Sequence, residues 1–98
     1  MGSSNPDLST LDPGICRAVR ILSEGGFYTI ESCEGGPGHS YPEPTVKFSG
    51  TPATGWKALG LLLDHALPVR RIGQMWTFEN GQPVGPDWIV TFYRRLDQ

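Results

Sequence analysis

Two amphipathic segments, each entered through a capping residue and a proline, do most to limit what this chain can fold into. Asp12-Pro13 opens the first and Thr51-Pro52 the second. Asp and Thr offer an acceptor to orphan helix N–H groups, and a proline in the first turn has no donor to lose. In the first segment Ile15, Ala18, Val19 and Leu22 fall at i, i+3, i+4 and i+7, while Arg17 and Arg20 point away. This predicts a helix running to about Glu24, stopped by Gly25-Gly26. The second pattern runs from Ala53 to Leu67 through Ala58, Leu59, Leu62, Leu63 and Ala66, and Pro68 ends it.

Each helix is followed by two β-prone runs. Phe27 to Ser32 alternates imperfectly; Thr45 to Ser49 alternates cleanly, with Val46 and Phe48 on one face and Lys47 on the other. Two further strands are expected at about Val69 to Glu79 and Trp88 to Arg95, joined through Asn80-Gly81 and the turn formers Pro83, Gly85 and Pro86. Sliding the chain by 40 positions lays Arg17–Glu24 over Lys57–Asp64, with similar residue character at six of the eight positions. Helical periodicity alone produces much of that match. Taken as a repeat, it predicts an α+β fold of order αββαββ. The sheet is then four-stranded and mostly antiparallel, with both helices on one face and pseudo-twofold symmetry. The other face is left for a partner, a second subunit or water, and Tyr28, Lys47, Thr91 and Tyr93 are its candidates. Trp88, Val90 and Phe92 alternate with Ile89, Thr91 and Tyr93, so neither face of the last strand is plain solvated surface.

A chain of 98 residues allows one domain with one modest core. Residues 1–11, rich in Gly, Ser, Asn, Pro and Thr, read as a flexible leader, and 12–98 as the domain. A net charge of -2 argues against a dominant nucleic-acid footprint and against a strongly acidic mimic. Two cysteines are too few for a secreted disulfide framework, and the opening residues show no secretory pattern, so a cytoplasmic protein with free thiols is expected. The longest apolar run, near Leu59 to Leu63, is too short to span a membrane.

The least ordinary residues gather between the first two strands, in a connection of about twelve residues. Cys33 and His39, with Glu31 or Glu34, supply the residue types of a thiol nucleophile, its base and an orienting carboxylate, and are the candidate catalytic residues. A local Cys and His more often serve packing and turns than catalysis. A zinc site on Cys33 and His39 would need Cys16, His65 or carboxylates to converge from other elements, and no metal or other cofactor is expected. His65 near the C-terminal end of the second helix suits the helix dipole. Gly35, Gly36 and Gly38 could present unhindered N–H groups to an anion, with His39, Arg70 and Arg71 adding charge. The spacing matches neither the phosphate loop nor the dinucleotide fingerprint. The favoured role of the glycines is to let the loop turn sharply.

Gly26-Phe27, Thr29, Ser32-Cys33, Gly35-Gly36, Gly38-His39, Pro42, Pro44 and Val46-Lys47-Phe48 form a pattern that resembles a segment of small uncharacterised bacterial and phage proteins. A shorter likeness links Thr29–Cys33 to the Ser-Cys segment of wybutosine-synthesis tRNA methyltransferases, whose length and basic charge this chain lacks. The phage-like resemblance implies an accessory or counter-defence protein, such as an anti-CRISPR inhibitor or a sponge for a nucleotide signal. The expectation that follows is a small non-catalytic protein, monomer or homodimer, that blocks a larger host or phage protein without binding nucleic acid or membrane. Tyr28, Tyr41, Lys47 and Tyr93 are its candidate partner contacts, with Trp76 and Trp88 as further aromatic anchors. Sequestering an anionic small molecule such as a nucleotide in the glycine loop is the alternative, and a Cys/His thiol enzyme the second.

Overall fold

The computed structural model describes residues 12–97; the leader expected at 1–11 lies outside the described residues. The elements run α1 (Pro13–Glu24), β1 (Thr29–Cys33), β2 (Thr45–Phe48), α2 (Pro52–Asp64), β3 (Val69–Glu79) and β4 (Gln82–Phe92). The strands form one antiparallel sheet in the order β1-β2-β4-β3. That order follows when two αββ halves meet through their second strands, so the sheet is symmetric in sequence about the β2–β4 junction.

The helices cover one sheet face. Ile15, Val19 and Leu22 of α1 and Ala58 and Leu62 of α2 are buried against Val46, Phe48, Val90 and Phe92. Phe48 is the centre of an aromatic stack, edge-on to Phe27 at 6.0 Å and nearly parallel to Trp88 at 6.4 Å. Trp88 is therefore half-buried structure and no free anchor. Its Nε1 donates to the Thr51 carbonyl at 2.9 Å, and its ring lies so close to Gly55 that a Cβ there would come within 2.2 Å of it.

The two helices end alike. Phe27 N–H donates to the Leu22 carbonyl and Gly26 N–H to that of Ser23; forty positions on, Leu67 donates to Leu62 and Ala66 to Leu63. Both are Schellman turns, in which the residue after the cap must be left-handed. Gly26 fills that place in the first, but Ala66 in the second, at φ 58°. Ala66→Gly should therefore stabilise the fold by about 0.5–1 kcal/mol, the left-handed strain outweighing the added freedom of the unfolded chain. Urea unfolding measures this directly, and a loss of stability would contradict it.

Four expectations change. Asp12 makes no side-chain cap, whereas Thr51 forms a reciprocal capping box with Thr54. α2 is shorter than its apolar pattern and leaves Leu63 exposed, because the helix meets the core along Gly55, Ala58 and Leu62. β1 begins at Thr29, where its register shifts against β2. β4 takes in Pro83, Gly85 and Pro86, so that Asn80-Gly81 alone makes the turn. β2 pairs with β4 only at Trp88–Thr91, so Pro83 removes no donor from a ladder on that side, and a second register shift accommodates Gly85 and Pro86. Beyond Met75 and Asp87 the β3–β4 hairpin projects as a two-stranded arm.

Candidate functional site

Strand alternation sorts the sheet's second face. Val46 and Val90 face the helices, so Glu31 and Cys33 of β1, Thr45 and Lys47 of β2, Ile89 and Thr91 of β4, and Arg71, Gly73 and Met75 of β3 share the helix-free side. The connection between β1 and β2 folds partly over it. Gly36 N–H donates to the Pro42 carbonyl at 3.1 Å, closing the loop, and Gly35 N–H donates to Cys33 Sγ at 3.4 Å. Glu34 is turned inward, where its Oε1 accepts from Gly14 N–H at 2.9 Å and lies 3.2 Å from Arg95 Nη2. A carboxylate twenty residues away in sequence thus takes the capping place at the α1 N-terminus that Asp12 leaves open.

Tyr41, Pro42 and Glu43, on the returning limb of the loop, stand over the strands and enclose a cleft of about 380 Å³. Its walls include Thr45, Arg71, Gly73, Met75, Ile89 and Thr91. Tyr41 donates to Glu31 Oε1 at 3.3 Å, and Lys47 Nζ lies 3.8 Å from the same oxygen. Burial first, and then the Glu31 charge and hydrogen bond, push the Tyr41 hydroxyl above the ordinary phenol value, so it is a fixed donor at neutral pH. Two residues along the same limb, Glu43 pairs with both Arg70 and Arg71, the latter at 3.3 Å, and Arg70 lies over the Tyr93 ring at 5.9 Å from its centroid. Two guanidiniums against one carboxylate leave a local positive excess. Thr45 Oγ1 is satisfied by the Glu43 carbonyl at 2.8 Å, but Thr91 Oγ1 is buried without a hydrogen-bond partner. A buried hydroxyl left unpaired is costly.

Cys33 and His39 turn to different partners. Cys33 is buried on the sheet, whereas the two His39 ring nitrogens face Asp12 Oδ2 at 3.8 Å and Glu34 Oε2 at 3.6 Å. Asp12, Glu34 and His39 could together hold a metal ion, and neither Cys16 nor His65 belongs to that cluster. The nearby Arg95 already supplies Glu34 with a positive partner. Of the glycine-loop residues, Gly35 and Gly36 spend their N–H groups inside the loop and His39 N–H donates to the Gly36 carbonyl, so these donors do not converge on an external anion. Arg71 lines the sheet cleft, and Arg70 is joined to it through Glu43. Tyr41, Lys47 and Tyr93 are joined to the cleft by the contacts above, and Tyr28 is exposed beside the start of β1.

Sequence reasoning placed Thr91 on the open sheet face, but it did not find Glu43 as a cleft residue, nor Trp56 and Phe78, which are 76% and 69% exposed. Glu43 stands out in the sequence between two prolines. No helix among the described residues is long and apolar enough to cross a membrane. Comparison with known proteins returns no matching family model, curated protein or solved structure.

Proposed function

We propose that this protein is a non-catalytic binding protein that occupies a surface of a larger protein with its helix-free sheet face, seating a partner side chain in the cleft. One observation carries the reading: a 380 Å³ cleft lined by Arg71 and walled by Tyr41 and Glu43, on a face framed by Tyr41, Lys47 and Tyr93. Aromatic and arginine side chains around a central pocket are the usual carriers of interface energy. The narrower reading, a phage counter-defence inhibitor, rests on the likeness of the Gly26–Phe48 segment.

A second reading is favoured by the positive excess at the rim: a small molecule with one negative charge, apolar against Met75 and Ile89, and paired with Arg71. The anion then sits in the sheet cleft and away from the glycine loop.

Affinity capture from source cells, combined with native mass spectrometry of the purified protein, separates the two. The expected result is a protein retained by the wild type and lost with Arg71→Ala and with Tyr41→Ala, each weakening binding about tenfold or more, while Trp56→Ala retains it. A retained small mass that disappears in Arg71→Ala would move the assignment to the second reading. Capture indifferent to Tyr41, Arg71 and Tyr93 in folded variants would overturn the first.

A further inference from the structure

The sheet has two edges, and they differ. β1 is five residues long and interrupted by a register shift. β3 is eleven residues long, contains no proline, and has no strand along its outer side among the described residues. Long regular edges invite another strand, and folded proteins normally blunt them.

The outward-facing groups can be named. In a two-residue turn the closing pair, here Glu79 and Gln82, exchanges its backbone bonds, and inward and outward residues then alternate. Ile72, Gln74, Trp76 and Phe78 therefore turn their N–H and C=O groups away from β4. Their side chains lie on the helix side of the sheet, where Trp76 and Phe78 are 56% and 69% exposed. On that side Gly55, Trp56 and Leu59 of α2, with Ile72 and Trp88 of the sheet, border an apolar pocket of about 230 Å³.

We infer that β3 pairs antiparallel with β3 of a second copy of this chain, about a twofold axis perpendicular to the sheet through Met75. In that register Gln74 stands opposite Trp76, Ile72 opposite Phe78, and Arg71 opposite Glu79. The charges are self-complementary, and moving the axis to Gln74 or Gly73 separates them. Phe78 of each copy is brought beside Ile72 of the other, at the mouth of the apolar pocket. The exposed ring and the open pocket thus answer each other across the axis, which singles out a second copy as the occupant. On the helix-free side Arg71, Gly73 and Met75 line the cleft and also flank the axis, so the two clefts adjoin. The inference does not depend on what fills them.

Sedimentation equilibrium of the full chain should give twice the 10.7 kDa mass. Met75 bonds inward to β4, so the two Met75 positions form a non-hydrogen-bonded pair about 4.5 Å apart, within reach of a disulfide. Met75→Cys should therefore form a covalent dimer on mild oxidation where the wild type does not. Gln74→Pro removes an outward N–H and no bond to β4, and should weaken the dimer at least tenfold with the circular dichroism unchanged. Phe78→Asp should do the same. Glu79→Arg should weaken it about tenfold, with Arg71→Glu in the same chain restoring it. A wild type that stays monomeric overturns the inference and leaves the edge to a strand of a different protein. A dimer that neither cross-links through Met75→Cys nor responds to Gln74→Pro overturns it too.

Discussion

Phe48→Ala should cost about 3–5 kcal/mol, the range for emptying a fully buried aromatic site. Phe48 has no accessible surface and touches both the Phe27 and Trp88 rings, so its removal opens a void between the sheet and the helices. Trp88 cannot close that void cheaply, being held by its hydrogen bond to Thr51 and by contact with the Gly55 backbone. A domain this small has a total stability of roughly 5–15 kcal/mol, so the variant should be near its unfolding limit. Guanidinium unfolding followed by tryptophan fluorescence reads the loss. A cost near 1 kcal/mol would mean that the aromatic stack collapses onto the site and is not the rigid centre described above.

Gly35→Ala should cost about 2–4 kcal/mol, from two sources. Gly35 sits at φ 83°, which costs a side-chain-bearing residue roughly 1–2 kcal/mol. A Cβ there would also lie 2.5 Å from the Glu43 carbonyl carbon and 2.6 Å from Pro44 N, backbone atoms that cannot swing aside. Gly36→Ala is the control: its φ is 107°, but the nearest atom to an added Cβ is 3.9 Å away, so only the conformational cost applies. Unfolding of the two variants side by side should show Gly35→Ala about twice as damaging. Equal losses would show that the two limbs of the loop are not packed backbone to backbone, and the cleft wall would lose its support.

Much of the scaffold was legible because helices announce themselves locally. Proline at the first turn and a 3.6-residue apolar period located both helices, and a glycine stop fixed the end of α1 within a residue or two. What periodicity could not say was how far each apolar stripe would be used: Leu63 fits the pattern and is exposed, because contact with the sheet ends one turn earlier. Proline misled the reading of β4, since the rule against proline in strands applies only where a neighbouring strand needs its N–H. The site was less legible for a different reason. Cys33 and His39 are six residues apart in sequence, but Cys33 is the last strand residue and the glycines carry His39 round to the start of α1. Alternation put Thr91 on the open face, but the cleft around it is made by the fold of a loop half the chain away, and no local pattern encodes that contact.

The junction at Gly14 has a consequence for how the chain is closed. Its N–H is taken by Glu34 and its carbonyl by Leu96 N–H at 2.8 Å, so the loop after β1 and the last described residues both meet the first helix at a single residue. The backbone between Gly14 and Leu96 is nearly a ring. In such a ring the order of the elements is a matter of where it is cut. A linker joining the residues around Gly14 to those around Leu96, with a new opening at the Asn80-Gly81 turn, would permute the chain while leaving both helices and the sheet register as they are.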